Sequence, residues 1–375
     1  MKLPEELENK ILSELMISDI YNNQQFFSEK IDTLRKQLVN LSQDFSRFRP
    51  TESQYQDAYF AFNFPQNFMK VWIVINKIYK LYCIPLLKDK IKILDLGCGE
   101  SAGMLGIYYG LKNIKSNINI YFTGVDIDNN FLYRCRAMLD WLKHLYGNIN
   151  FDTVKKSLLD FIIDNQDEYD IIIISNVLAE IFCENKIPTD FIRTVNRHLK
   201  RNGVLIIIEP ALKSLTRLLM ECANRLKENN IVYILLPCLH HYPCPLLMKK
   251  NEWCHQSIKW TPPEYLNILN QTLYRKIEYL KFSYLVISGQ SYDTIKDNKY
   301  LVISRLFKEK GRKRALLCNK DGIVELVRLD RDKERNNQEF DNISMGDIVQ
   351  IDKEIRARKL HWKITKNTAI KRLDF

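Results

Sequence analysis

The chain has 375 residues, 46% of them apolar and 11% aromatic, which predicts a globular protein with two domains or one large domain with additions. The longest apolar runs, at 171–174 and 204–208, are too short to cross a membrane, so we expect no membrane partner. The net charge is +11, and residues 301–375 hold 19 Lys and Arg against 12 Asp and Glu. A basic region of this kind favours contact with nucleic acid or another polyanion.

The N-terminal sequence argues against secretion. It reads MKLPEELENKILSEL, which contains acidic residues and no apolar h-region, so we expect neither a signal peptide nor an ordinary mitochondrial presequence. The chain has nine cysteines, an odd number, and most are expected to be reduced and buried. We therefore expect a bacterial cytoplasmic protein, with an imported mitochondrial protein as the alternative.

Residues 1–88 form the first predicted unit, an N-terminal helical region. Apolar residues recur three and four apart over 19–41, and an aromatic-rich stretch follows. Pro65 is expected to begin the helix that leads towards the first strand.

Residues 89–305 alternate apolar strands with amphipathic helices, which predicts an α/β fold with a doubly wound parallel sheet. The sheet is expected to finish with IVYILLP and with one of two copies of a similar strand, at 284–288 or 300–304. Between these strands, residues 237–260 form a cysteine-rich insertion without periodicity. Residues 306–375 predict a basic, β-rich C-terminal region, and the pair Asp321-Gly322 indicates a hairpin.

The segment ILDLGCGESAG, at 93–103, predicts a nucleotide-cofactor loop. Asp95 ends a strand, Gly97 and Gly99 allow a sharp turn, and the next helix presents its N-terminal amides. A second strand ends in Asp126, whose carboxylate suits the ribose hydroxyls of S-adenosylmethionine. A dinucleotide site would want a further glycine at the position of Ala102, so a methyltransferase-type fold is favoured. A tight turn without any ligand is the alternative.

Catalytic residues are not identified by the sequence. Asn176 and Glu180 follow the fourth strand, where many methyltransferases face the acceptor, but neither has a Pro-aromatic partner. Methyl transfer therefore stays an open possibility at this point.

Three cysteines of the insertion, Cys238, Cys244 and Cys254, have the spacing C-x5-C-x9-C and predict a metal site. The candidates for a fourth ligand are His255, His240, His241 and Cys318. Four cysteines would suit an iron–sulfur cluster, whereas three cysteines with His255 would suit zinc. His240 and His241 are expected to be exposed or to face RNA, and loop packing without a metal is the remaining alternative.

These segments resemble the methyltransferase-like proteins of the small ribosomal subunit, the mitoribosomal small-subunit assembly factors and their bacterial relatives. The resemblance covers about residues 55–350 and is carried by the following segments: DAYFAFNFPQNFMK (57–70), DLGCGESAG (95–103), SNVLAEI (175–181), IIIEPA (206–211), PCLHHYPCPL (237–246), WCHQS (253–257) and CNKDG (318–322). Ala211 stands where the family usually has glycine, and the loop contains Glu100-Ser101; these departures concern methyl transfer and not the fold.

The resemblance implies a 4Fe–4S cluster on four cysteines: Cys238, Cys244, Cys254 and Cys318. It also implies binding to small-subunit rRNA during ribosome assembly, with S-adenosylmethionine bound or vestigial. The basic run 308–314 is expected to lie beside the cluster and to contact RNA. The rival prediction is an active S-adenosylmethionine-dependent RNA methyltransferase with a zinc-stabilised insertion.

Overall fold

A computed structural model describes most of the chain. The described residues are 1–17, 24–43, 52–82, 88–115, 117–178, 188–228, 232–290, 298–320, 322–352, 355–358 and 360–373. None of the helices in these ranges is both long enough and apolar enough to span a bilayer.

The described residues before the first strand are helical, as the sequence predicts, and form α1 (Glu5–Glu14), α2 (Gln24–Gln43) and α3 (Ser53–Tyr82). The prediction that Pro65 begins a helix is wrong, because Pro65 lies inside α3. Proline has no N–H to donate to the carbonyl four residues earlier, which here belongs to Ala61. The Tyr265 hydroxyl donates a hydrogen bond to that carbonyl instead, at 3.2 Å. Buried aromatic side chains on both sides of Pro65, among them Phe64 and Phe68, hold the helix in the core.

Within the described ranges the first sheet contains eight strands: β1 (Lys90–Leu96), β2 (Asn119–Asp126), β3 (Ile149–Lys155), β4 (Tyr169–Ser175), β5 (Leu199–Pro210), β6 (Tyr233–Leu236), β7 (Gln256–Lys259) and β8 (Tyr279–Ser288). Its order is β3-β2-β1-β4-β5-β8-β6, with β7 also paired to β8. Strands β1 to β5 pair in parallel, whereas β8 is antiparallel to β5, β6 and β7. This order confirms the methyltransferase-type fold, in which the predicted doubly wound parallel sheet also carries the antiparallel strand β8.

Helices cover both faces of this sheet, as a doubly wound fold requires. They are α4 (Ala102–Lys112), α5 (Asn129–Tyr146), α6 (Leu158–Asp164), α7 (Thr189–Asn196) and α8 (Lys213–Glu228), with α9 (Glu264–Asn270) beside the N-terminal helices. The Ile run of β4 divides between the two cores: Ile171 and Ile173 join one, and Ile172 and Ile174 join the other. A strand buried on both faces needs such a continuous apolar run.

The cysteine-rich insertion is more ordered than a connection without periodicity. It contains a 3-10 turn at Pro245–Met248 and the strand β7, which pairs with β8. Cys238 and Cys244 lie between β6 and this turn, and Cys254 lies between the turn and β7.

The C-terminal region forms a second sheet, which confirms the prediction of a β-rich part. Its strands are β9 (Lys299–Val302), β10 (Phe307–Glu309), β11 (Arg312–Asn319), β12 (Gly322–Leu329), β13 (Ile348–Asp352), β14 (Ile355–Arg358), β15 (His361–Ile364) and β16 (Ala369–Arg372). The order is β14-β15-β12-β11-β9-β13-β16, with β10 paired to β11. The hairpin expected near residue 322 joins β11 to β12. The copy of the strand motif at 284–288 belongs to the first sheet, and the copy at 300–304 overlaps β9 of the second.

A buried lysine joins the second sheet to the N-terminal helices. Lys77 of α3 is 1% exposed, and its Nζ donates to the Gly346 carbonyl at 2.7 Å and to Gln256 Oε1 at 3.4 Å. One side chain thus contacts the loop before β13 and the first residue of β7.

Candidate functional site

The cofactor loop turns sharply at the end of β1. Gly97 has a φ of +78° and Gly99 a φ of +48°, both in the left-handed region that favours glycine. A Cβ on Gly97 would collide with the side chain of Val177, which follows β4. Ser101, the N-cap of α4, also has a left-handed φ of +75° and therefore occupies a position that suits a third glycine.

Asp95 lies beneath this loop and is almost fully buried, at 1% exposure. A Cβ on Gly103 would lie 2.5 Å from Asp95 Oδ2, so the carboxyl group is packed against the first turn of α4. Neither carboxyl oxygen has a hydrogen-bond partner among the described residues. Burial, with the nearby charge of Asp126, raises the pKa of Asp95 to about 8, while the Met104 amide nearby opposes the shift.

This orphaned carboxyl group fits a cationic cofactor. S-adenosylmethionine carries an ammonium and a sulfonium charge, and a buried acid without a partner is stabilised when a cation approaches. The N-terminal amides of α4 add a site for a carboxylate. The donor set is therefore compatible with the cofactor that the sequence predicts.

Asp126 ends β2 on the strand next to Asp95. Its Oδ2 accepts from the Gly99 amide at 2.9 Å and its Oδ1 from the Asp128 amide at 3.0 Å. Burial raises its pKa, although these amide hydrogen bonds oppose the shift. The structure thus brings together the four predicted cofactor residues, Asp95, Gly97, Gly99 and Asp126, and Asp126 holds the loop in shape.

An ion-pair network that the sequence did not indicate ties this loop to the N-terminal helices. Glu100 is 6% exposed, and burial raises its pKa to about 8 even though Arg134 of α5 lies 3.1 Å away. Arg134 also pairs with Asp57 of α3 at 2.5 Å, and Asp57 pairs with Lys30 of α2 at 2.7 Å. These residues are far apart in sequence, so no local pattern could have revealed the network.

A second acid lies at the carboxyl ends of β4 and β5. Glu209 is 1% exposed, and its Oε1 accepts from the amides of Val177 at 3.1 Å and Leu178 at 2.9 Å. Burial lowers the pKa of Lys70, on α3, to about 8, and the nearby charge of Glu209 opposes this shift. In the sequence, this end of β5 is marked only by the segment IIIEPA.

The predicted acceptor-side residues give little further information. Asn176 is half-buried with a φ of +58°, and its Nδ2 donates to Ser175 Oγ at 3.2 Å. Glu180 lies outside the described residues. Within the part of the chain that the structure describes, the geometry does not identify a catalytic residue.

The four predicted metal ligands lie close to one another. Cys238, Cys244 and Cys254 line one pocket with Met220 of α8 and Tyr284 of β8. Cys318 arrives from β11 of the second sheet, so two sheets contribute to one group of thiols.

Each of the six pairs among these four thiols is close enough for their charges to interact. Burial, with the nearby Cys238, raises the pKa of Cys244 to about 11. Burial and the other thiols raise the pKa values of Cys254 and Cys318 as well. Four mutually repelling thiolates would be stabilised by a shared cation, so the donor set fits an iron–sulfur cluster or zinc.

The described residues nevertheless include no group of three or more His, Cys, Asp or Glu side chains already arranged to hold a metal ion. The cysteines of this part of the chain are free thiols. Cys318 Sγ lies 3.5 Å from His240 Nε2. The four cysteines therefore fit a metal through the chemistry of their sulfur atoms and through their closeness to one another.

The three histidines near these thiols differ in their surroundings. The prediction that His240 is exposed is wrong, because it is 7% exposed beside Cys318, and burial lowers its pKa to about 4. His241 is exposed, as predicted. The His255 ring stacks on Trp253 at 5.6 Å, and its Nδ1 lies 3.2 Å from the Trp253 carbonyl oxygen.

The basic run 308–314 lies away from the thiols, and three of its cations are paired with acids. Arg312 and Arg314 both pair with Glu309, at 2.7 and 2.6 Å, and Lys313 pairs with Asp341 at 2.6 Å. The run forms the β10–β11 hairpin, and Cys318 is near the far end of β11. Extended strands rise about 3.3 Å per residue, which separates Arg314 from Cys318 by roughly 13 Å.

A family model described as mitochondrial small ribosomal subunit Rsm22 matches residues 54–347. The chain belongs to this family. The matched range includes the cofactor loop and all four clustered cysteines, and it ends just before β13. The resemblance stated from the sequence motifs is thereby confirmed.

Solved structures give weaker likenesses. The plantazolicin methyltransferase BpumL in complex with SAH is 13% identical, with a TM-score of 0.37, covering 70% of this chain and 99% of that chain. A class I S-adenosylmethionine-dependent methyltransferase, described as putative, from Listeria monocytogenes is 14% identical, with a TM-score of 0.37, covering 76% and 90%. No curated protein matches the chain. At such scores the fold assignment depends on the strand order rather than on these neighbours.

Proposed function

We propose that this chain is an assembly or translation factor of the small ribosomal subunit that binds small-subunit rRNA. In this proposal S-adenosylmethionine lies against Asp95, Gly97, Gly99 and Asp126. A 4Fe–4S cluster is held by Cys238, Cys244, Cys254 and Cys318. Membership of the Rsm22 family supports the ribosomal role, and the meeting of four thiols from two sheets is the observation that carries the proposal.

Each bound group would contribute one property. S-adenosylmethionine supplies an activated methyl group, and its cationic centre would neutralise the orphaned Asp95 carboxyl. The cluster would supply a four-thiolate link between the insertion and β11. In this role the chain's own residues bind and position the rRNA, and methyl transfer is not required.

The first experiment is anaerobic purification with iron, sulfide and zinc measured per chain. We expect about four irons and a broad absorption band near ~400 nm. Cys318→Ser should lose the iron, whereas Cys222→Ser, a change of a buried cysteine outside the group, should keep it. One zinc per chain, lost in His255→Ala, would contradict the cluster.

The rival function is an active RNA methyltransferase with a zinc-stabilised insertion. The buried acid Glu209 with Lys70, at the sheet edge where acceptors are expected, favours it. Methyl transfer to purified small-subunit rRNA, abolished by Asp126→Ala, would support this rival. Stoichiometric co-sedimentation with an immature small subunit that persists in Asp126→Ala would support the assembly role.

The proposal extends to organisation and compartment. We propose an N-terminal helical region at 1–88, a methyltransferase-like region at 89–305 and a basic region at 306–375. The description of the family favours a mitochondrial location over the bacterial cytoplasm. Subcellular fractionation with the small-subunit rRNA as marker would distinguish the two locations.

A further inference from the structure

One loop of the insertion is held against α8 by several hydrogen bonds. The guanidinium group of Arg217 donates to three carbonyl oxygens of this loop: Leu247 at 3.0 Å, Lys249 at 3.0 Å and Glu252 at 2.9 Å. The indole N–H of Trp253 donates to the Ala211 carbonyl at 3.0 Å. The backbone of the loop is therefore held in place by the residues on which it lies.

The side chains at the outer end of this loop point to solvent. Met248 is 89% exposed, and Leu212, before the start of α8, is 59% exposed. Lys249 and Lys250 follow Met248, and Lys213 follows Leu212, all three exposed. Lys213 Nζ donates to Asn251 Oδ1 at 3.3 Å, and none of the three lysines makes an ion pair with the described residues. We name these five residues the tip surface: Leu212, Lys213, Met248, Lys249 and Lys250.

An exposed aromatic ring of the same insertion lies near the other end of α8. Tyr242 is 60% exposed, and its carbonyl accepts from Lys227 Nζ at 3.2 Å. Lys227 and Arg217 are both on α8, and a helix rises about 1.5 Å per residue, so the two anchored points are roughly 15 Å apart. Lysines without an ion pair among the described residues, together with an exposed ring of the same insertion, suit a single-stranded RNA segment, whose phosphates attract lysine and whose bases stack on tyrosine.

The basic run offers fewer free charges for the same purpose. Arg312, Lys313 and Arg314 are already paired with acids of the C-terminal region, Glu309 and Asp341. At these three residues an RNA phosphate would have to replace the acids, and only Lys308 and Lys310 of the run make no ion pair with the described residues. At the tip surface this holds for all three lysines. Charge complementarity therefore favours the tip surface.

We propose that the tip surface contacts a looped or single-stranded segment of RNA through its phosphates, with Tyr242 stacking on a base. This inference rests on the proposed rRNA binding and names the surface that performs it. Arg217 acts here as a positioning residue, because its hydrogen bonds go to the loop and not outward.

The test is the affinity of the full-length chain for a small-subunit rRNA fragment, measured by fluorescence anisotropy from about 50 to 200 mM salt. Lys249→Gln/Lys250→Gln should weaken binding by about tenfold and lower the salt slope by about 1 per lysine. The matched control, Lys308→Gln/Lys310→Gln, removes the same charge from two exposed lysines of the basic run and should change affinity less than about twofold. Tyr242→Ala should weaken binding while leaving the salt slope unchanged.

The outcomes separate the two proposals. If the wild-type chain binds no rRNA fragment, the proposed function and this inference both fail. If it binds and the control weakens binding as much as the tip change, the surface is wrong but RNA binding stands. If the tip change leaves naked RNA binding intact and abolishes only co-sedimentation with the subunit, the tip surface contacts protein, which also overturns the inference.

Discussion

Asp95 is a buried acid that lies beneath the cofactor loop. Its carboxyl group is buried without a hydrogen bond from the described residues, next to a loop shaped by two left-handed glycines. Its pKa of about 8 lies above the ordinary value of 3.8. The unfolded chain releases this proton near pH 4 and the folded chain keeps it to about 8, so folding stability falls as pH rises through this window.

We therefore predict that Asp95→Asn stabilises the ligand-free protein more at pH 8 than at pH 5. The amide keeps the shape of the side chain but cannot ionise, and the difference between the two pH values should exceed about 1 kcal/mol. Urea unfolding at both pH values measures it. An equal effect at pH 5 and pH 8 would contradict the prediction, and calorimetry should show weaker S-adenosylmethionine binding by the variant.

The sequence revealed the residues of this site that lie close together along the chain. Asp95, Gly97 and Gly99 form one short motif, and Asp126 ends the next strand, so local spacing was sufficient. The Glu100–Arg134 pair and the contact of Glu209 with the loop after β4 needed the fold, because their partners come from other elements. Local patterns cannot report such contacts.

Helix α3 is the element whose sequence was most misleading. Pro65 normally indicates a helix start, yet here the helix continues because Tyr265 of α9 satisfies the Ala61 carbonyl that Pro65 leaves free. A tertiary hydrogen bond thus replaces the backbone hydrogen bond that Pro65 cannot make. The pattern of buried aromatics in α3 could have suggested this, but the hydroxyl partner could not have been found from spacing.

A double-mutant cycle tests this compensation. Tyr265→Phe should lower the free energy of unfolding by about 1–3 kcal/mol, because it leaves a buried carbonyl without a partner. In a Pro65→Ala background, the new alanine would donate its own N–H to that carbonyl, and the cost of Tyr265→Phe should fall below about 1 kcal/mol. Equal costs in the two backgrounds, measured by urea unfolding, would show that the hydroxyl does not replace the missing amide.

At the scale of the whole molecule, the second sheet is attached through buried polar contacts as well as apolar packing. Lys77 reaches from α3 to the Gly346 carbonyl and to Gln256. The sequence predicted a β-rich C-terminal region but contained no sign of this attachment. Nor could it decide between the two copies of the YLVIS-like strand, since both have the same pattern and only the sheet order separates them.

We predict that Lys77→Met lowers stability by about 1–3 kcal/mol, because the Gly346 carbonyl loses its 2.7 Å donor inside the protein. Lys80→Met, an exposed change on the same helix, should cost less than about 0.5 kcal/mol. Differential scanning calorimetry of both variants measures this difference. Equal melting temperatures for the two variants would show that the buried contact contributes nothing.

The position of Cys318 has a consequence for how the protein matures. Three of the clustered thiols come from the insertion, but the fourth is delivered by β11, which is synthesised much later. Any group bound by all four thiols can be loaded only after the second sheet has folded and docked, since metal binding is coupled to folding. A chain that ends before β11 lacks Cys318, so it would not bind such a group even if its first sheet had folded.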